Sequence, residues 1–193
     1  MIRIGVLALQ GSVIEHIIML DSLNDVEAVR VKTKRDLQLI DGIILTGGES
    51  TAIGKLLRDF DLFDALKSRI ENGLPVWGTC AGMILLAKEI SGEAPHLAVM
   101  NIKVRRNAYG RQIDSFGSSV VIPEISTKPI ELVFICAPWI EEAKGSVEIL
   151  GILDGHIIAA RQKNMLVTSF HPELTNDMSV HKYFLSMVNE VKA

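Results

Sequence analysis

The segment Gly78-Thr79-Cys80-Ala81-Gly82 sets a cysteine between two glycines in a G-x-nucleophile-x-G arrangement. Residues 74–77 ahead of it read as a short buried strand, and residues 83–88 after it read as a helix. Cys80 is therefore expected on a strand-to-helix elbow. A free thiol has a pKa near ~8.5, so only a few per cent is thiolate at neutral pH. Backbone N–H groups at a helix start favour the anion and raise that fraction. The flanking glycines permit a tight turn and leave room for a substrate to approach the sulfur. A cysteine beside a glycine turn can also be just a small buried side chain. Five matched positions between a strand and a helix favour the nucleophile.

A thiol nucleophile needs a base, and the base needs a group to orient it. Phe170-His171-Pro172-Glu173 offers both, following a strand over residues 165–169, with Pro172 restricting the intervening turn. His171 would take the thiol proton, and Glu173 would hold the imidazole and stabilise its cationic form. A solitary histidine at a strand end is more often a surface or hydrogen-bonded core residue; the adjacent glutamate and the independent elbow make His171 a catalytic candidate. His16 reads as a solvated helix residue, and His96, His156 and His181 lack a neighbouring constellation. None is spaced with the cysteines as a metal ligand would be, so no metal is expected.

Gly47-Gly48 follows the buried strand at residues 42–45. It reads either as a plain turn or as a loop that turns the Gly48 N–H toward an oxyanion, with the Ala81 N–H as second donor.

These groups need a scaffold, and the apolar periodicity supplies one. Short β-rich runs at residues 2–9, 26–31, 42–45 and 74–77 alternate with helical patterns at 12–23, 52–58 and 62–72, which predicts βα units and a mainly parallel sheet. The elbow helix is expected to run to about residues 91–92. Residues 99–122 read as an antiparallel excursion, followed by strands near 132–135, 147–153, 157–161 and 165–169 and a closing amphipathic helix at 180–191. The fold class is thus α/β, three-layered, with helices on both faces of the sheet and a small antiparallel excursion. A single domain over residues 1–193 is expected.

Composition narrows the function. With 48% hydrophobic and 22% charged residues, a formal net charge of −3 and no Lys/Arg block, the chain carries no electrostatic footprint for nucleic acid. Two cysteines make no disulfide framework, and no apolar run reaches membrane-spanning length. The start of the chain does not resemble a signal peptide, so a soluble cytoplasmic protein is expected. Gly54-Lys55 fails as a P-loop, since Glu49 and Leu56 occupy positions that require Gly and Ser/Thr.

The order of the G-x-C-x-G elbow, the Gly-Gly loop and the His-Pro-Glu turn resembles the class I glutamine amidotransferases. Further blocks, Gly5-Val6-Leu7-Ala8-Leu9-Gln10-Gly11, Gly47-Gly48-Glu49-Ser50-Thr51 and Arg106-Asn107-Ala108-Tyr109-Gly110-Arg111-Gln112, are similar to the glutaminase subunits of pyridoxal 5′-phosphate synthases. The resemblance implies hydrolysis of L-glutamine by Cys80, His171 and Glu173, with ammonia passed to a separate synthase subunit and no cofactor on this chain. It places substrate contacts at Gly48, Glu49, Ser50 and Arg106, and in the Ile135-Cys136 segment. The family usually has arginine where Cys136 stands, so a contact there would run through the backbone. A cysteine peptidase or related hydrolase on a similar elbow, and an assembly subunit with a degenerate site, remain as rival readings.

Overall fold

The computed structural model describes residues 1–108 and 115–192. Twelve strands occur among them: β1 (Ile2–Leu7), β2 (Val26–Val31), β3 (Gly42–Leu45), β4 (Val76–Thr79), β5 (Ala87–Ile90), β6 (Met100–Arg105), β7 (Ser115–Val120), β8 (Ile130–Ile135), β9 (Trp139–Ala143), β10 (Glu148–Leu153), β11 (His156–Gln162) and β12 (Met165–Thr168). The α-helices are α1 (Val13–Asp21), α2 (Lys34–Gln38), α3 (Ser50–Asp59), α4 (Phe63–Glu71), α5 (Ala81–Leu86) and α6 (Ser179–Lys192), and Pro172–Leu174 form one 3₁₀ turn.

The main sheet runs β2-β1-β3-β4-β12-β11-β9-β6-β5, with β10 on β11. Its first five strands are all parallel, and β12 lies beside β4 although 86 residues separate Thr79 from Met165 in sequence numbering. The pairing brings the ends of β4 and β12, which lead to Cys80 and His171, to the same edge of the sheet. That edge is where ligands bind in open α/β sheets.

Alternation of side chains along the central strands divides the core between two faces. Ile43, Leu45, Val76 and Val167 point into one apolar cluster with α3, α4 and α5. Ile44, Trp77 and Leu166 point into the other with α1, α6 and the β7–β8 hairpin. All four residues of each of β3, β4 and β12 are buried, as expected for strands covered on both sides. Three layers result, with the hairpin completing the second outer layer.

Two local readings change. The elbow helix ends at Leu86, because Ala87 turns to extended geometry (φ −61°, ψ 136°) and residues 87–90 form β5 beside β6. Extension buries Ala87 and Ile90 while exposing Lys88 and Glu89; a helix continuing through this apolar setting would have to bury charge. The unanticipated β9 hides its alternation under charge. Its Glu141 and Glu142 pair with Arg105 and Lys103 across β6, at 2.5 and 3.2 Å.

Candidate active site

The turn at the end of β4 is sharp. Cys80 has φ 49° and ψ −102°, a strained conformation for a residue with a Cβ, and its amide donates to the Thr168 carbonyl of β12 at 2.8 Å. Both elbow glycines are required sterically. A Cβ on Gly78 would lie 2.5 Å from the Gly82 carbonyl, and one on Gly82 would lie 2.1 Å from the Leu45 carbonyl oxygen. Within α5 the Met83 amide bonds the Cys80 carbonyl, so the Ala81 amide stands at the open start of the helix.

His171 is positioned from two directions. Its amide donates to the Val133 carbonyl at 2.7 Å, tying the turn to β8, and its ring packs against the Gly47 backbone. A Cβ on Gly47 would lie 2.3 Å from His171 Cε1, so only glycine admits the ring here. His171 Nδ1 lies 2.7 Å from Glu173 Oε1. The same oxygen accepts the Ser12 hydroxyl at 2.8 Å. Burial opposes charge on His171, but hydrogen bonds to Cys80 and Glu173 and the charges of both raise it from 6.5 to about 10. Burial likewise opposes charge on Glu173, while His16, His171 and Ser12 bring it down to about 2. The favoured arrangement of this group is an imidazolium held by the Glu173 carboxylate. The Cys80 sulfur finds the Ile135 carbonyl at 3.8 Å, a weak S–H contact.

A cleft of about 550 Å³ opens over this group, a size that suits an amino-acid substrate. Gly48, Glu49, Ser50, Cys80, Ala81, Arg106, Ile135, Cys136 and His171 all line it; Glu173 sits behind His171. Ser50 is 1% exposed and its hydroxyl has no protein partner, which suits a group awaiting a ligand. Glu49 caps α3 by accepting the Thr51 and Ala52 amides at 3.1 and 2.6 Å. Arg106 bonds Glu93 through both carboxylate oxygens, Glu49 at 2.8 Å and Thr51 at 3.2 Å. The guanidinium thus stands between two carboxylates, and a zwitterion meets both signs of charge. Cys136 is exposed with φ 44° and lines the cleft. Tyr109, Gly110, Arg111 and Gln112 lie outside the described residues.

Five contributors escaped the sequence reading. Gln10 accepts the Glu49 amide at 2.9 Å, and its side chain fills the space a Cβ on Gly48 would enter. Ser12 and Glu93 hold Glu173 and Arg106 as described. The largest correction concerns His16 and His181. His16 is fully buried, 3.5 Å from Glu173 Oε2, and its Nδ1 lies 3.0 Å from His181 Nε2. Their helical spacing carried the signal. Val13, His16, Ile17 and Leu20 share one stripe of α1, and His181, Phe184 and Val188 share one of α6. Among the described residues, no group of three or more His, Cys, Asp or Glu side chains could hold a metal ion.

The fold matches glutamine amidotransferases in solved structures. One, described as a glutamine amidotransferase, superimposes with a TM-score of 0.91 at 43% identity, over 96% of this chain and 98% of that one. The PurLQS structure from Thermotoga maritima gives 0.69 at 16% identity over 98% and 99%, a likeness of fold alone. The architecture is therefore that of a class I glutamine amidotransferase. Residues 6–190 match the model of the SNO glutamine amidotransferase family, and the chain belongs to that family. It is 58% identical over 186 residues to pyridoxal 5′-phosphate synthase subunit PdxT of Clostridium botulinum (strain Loch Maree / Type A3), covering 96% of both chains. The subunit of the same name from Ruminiclostridium cellulolyticum is 52% identical over 187 residues, 96% of this chain and 99% of that one.

Proposed function

We propose that this chain is the glutaminase subunit of a pyridoxal 5′-phosphate synthase, acting as one amidotransferase domain over residues 1–193. Its nucleophile is Cys80, its acid–base group His171, and its orienting anion Glu173. The observation that carries this reading is the elbow Cys80, at φ 49°, in one cleft with His171 and Arg106, while His171 Nδ1 lies 2.7 Å from Glu173 Oε1 behind it.

The Cys80 sulfur attacks the glutamine carboxamide carbon, and the carbonyl oxygen becomes an oxyanion that the Gly48 and Ala81 N–H groups receive. Gly47 bears on this step, because its carbonyl accepts the Ser12 amide at 3.1 Å and fixes the plane of the Gly47–Gly48 peptide. His171 gives its proton to the amide nitrogen as the C–N bond breaks, releasing ammonia and leaving a γ-glutamyl thioester. The now neutral His171 takes a proton from water, the hydroxide adds to the thioester, and collapse of that adduct expels the thiolate. Glutamate departs and the thiolate–imidazolium pair is restored.

Arg106 pairs the substrate α-carboxylate, while Glu49 and the Ser50 hydroxyl accept from the α-ammonium. Ile135 and Cys136 close the rim through their backbone. Ammonia passes to the synthase subunit in a hetero-oligomer. Among the described residues no helix is long and apolar enough to cross a membrane, which accords with a soluble complex in the cytoplasm.

The test is ammonia release from L-glutamine by the chain mixed with its synthase subunit. Cys80→Ala is expected to lose activity by at least about 10⁴-fold, the scale on which nucleophile removal acts. Full turnover by that variant would remove Cys80 from the mechanism.

A further inference from the structure

The catalytic reading uses one histidine, yet the anion behind it touches two, and a third stands behind the second. Glu173 Oε1 takes the Ser12 and His171 donors, whereas Oε2 is buried and makes no hydrogen bond of normal length. What faces Oε2 is His16 Nε2 at 3.5 Å, an electrostatic contact inside the core. Behind His16 stands His181, with Nε2 3.0 Å from His16 Nδ1 and its own Nδ1 unpartnered. Trp77 packs edge-on against both rings, at centroid separations of 5.4 and 4.8 Å. This polar chain runs through an apolar cluster and ends on the catalytic carboxylate.

Its protons can be placed. The short N···N contact between the rings needs one donor and one acceptor. If His16 donated from Nδ1, its Nε2 lone pair would face the Glu173 carboxylate, and His181 would bury an unsatisfied N–H. With the opposite polarity, His181 Nε2–H donates to His16 Nδ1 and His16 Nε2–H points at Glu173 Oε2. Only a lone pair on His181 Nδ1 then goes unmatched, which is the smaller penalty. Thr79 agrees with this polarity. Its hydroxyl reaches the Leu45 carbonyl at 3.5 Å, which leaves oxygen lone pairs toward His16 Nε2 at 3.4 Å.

We propose that His16 and His181 form a neutral, directed donor chain that fixes the second oxygen of Glu173, making both of them positioning residues for His171. The proposal rests on the triad reading above. Burial opposes charge on both rings and outweighs the carboxylates near them. Burial lowers His16, with Glu173 and Glu15 acting upward and His171 downward. Burial and His16 lower His181 to about 3, against Glu173. What Glu173 receives is therefore an N–H dipole, and the full positive charge stays on the His171 side. A second imidazolium at His16 would compete with His171 for the same carboxylate.

Nuclear magnetic resonance of the intact chain labelled with ¹⁵N-histidine reads the tautomers directly. Both His16 and His181 are expected neutral with the proton on Nε2 between pH 6 and 8; a charged ring, or His16 protonated on Nδ1, would overturn the proposal. In the complex, His16→Leu is expected to lower kcat for ammonia release about 10- to 100-fold, the scale for losing a hydrogen-bond donor to a charged group, with KM nearly unchanged. The pH dependence of Cys80 alkylation by iodoacetamide should shift with it. His16→Gln, which keeps an N–H near the Nε2 position, should recover most of both.

Equal defects in His16→Leu and His16→Gln, or a His16→Leu enzyme with unmoved kcat and alkylation profile, would refute the positioning role. Cys80→Ala run in parallel separates the two readings. Activity in that variant defeats the triad, whereas an inactive Cys80→Ala beside an unaffected His16→Leu defeats only the donor chain.

Discussion

Glu173 divides two histidine environments built from the same residue type. On the cleft side, His171 lies between Cys80 and the Glu173 carboxylate and is raised to about 10; on the core side, His16 and His181 have neither solvent nor a full share of an anion, and both are lowered. The difference is one of partners more than of depth, since His171 itself is 6% exposed. Burial penalises charge on all three, and it is overcome where a close, well-aligned carboxylate and Cys80 flank the ring. The carboxylate thus uses one oxygen to hold charge beside Cys80 and presents the other to the His16–His181 pair.

The largest test acts on both sides at once. Glu173→Gln is nearly isosteric but removes the anion and offers an amide, so His171 loses its favoured tautomer and the stabilisation of its cation. We expect kcat to fall by about 10²–10⁴-fold, the range spanned by general acid–base contributions. The pH dependence of Cys80 alkylation should change with it, because the His171 charge held by Glu173 weakens. If the alkylation profile does not move, the charge on the cleft side does not come from Glu173.

A smaller effect is expected from Ser12→Ala, which removes the 2.8 Å hydroxyl donor from Oε1 and leaves His171 alone on that oxygen. Hydrogen bonds to charged groups contribute roughly 1.5–3 kcal/mol, so kcat should drop by about 10- to 100-fold, toward the lower end because the site is partly open to water. The KM for glutamine should stay within about twofold, since Ser12 holds the catalytic anion rather than the substrate. A raised KM with kcat intact would instead make Ser12 a substrate contact.

The cleft side was legible in the chain and the core side was only partly so, for a physical reason. Cys80, Gly47, His171 and Glu173 are marked by local chemistry: a glycine-flanked turn, a Gly-Gly loop, and a proline between two polar side chains. Such signals survive in a linear reading because the turn itself is local. The strands β3, β4 and β12 were equally plain as apolar runs. His16 and His181 lie 165 residues apart, and their contact exists only because α1 and α6 cover the same face of the sheet. The sequence reading leaves His16 solvated although its spacing sets it on the apolar stripe of α1, and no periodicity states which two stripes will meet. Arg106 shows the same limit. Its block could be recognised, whereas its lock on Glu93 and Glu49 depends on where the turn after β6 falls against α3.

The two environments also predict opposite slopes of stability with pH, and this is the smallest and most specific test. His16 and His181 are lowered in the folded state, so below their unfolded pKa near ~6.5 the unfolded chain binds protons that the folded chain refuses. Their contribution is complete above about pH 6.5 and is lost as pH falls, for His181 down to about 3. His171 is raised, so its contribution is complete below about pH 6.5 and is lost as pH rises through about 10. Carboxylates such as Glu173 and Asp36 are lowered in the folded state and weaken it only below about pH 4.5, which leaves the interval from about 6.5 to 5 to the histidines. His96 is also lowered, but it persists in both proteins and cancels in a difference. Urea unfolding of the wild type should lose stability as pH falls over this interval, and the loss should be shallower in His181→Phe by up to about one proton. One proton corresponds to about 1.4 kcal/mol per pH unit. Phe keeps the edge-on packing against Trp77, so a parallel slope in the two proteins would mean that His181 carries its proton inside the fold, and that the wall behind Glu173 is charged.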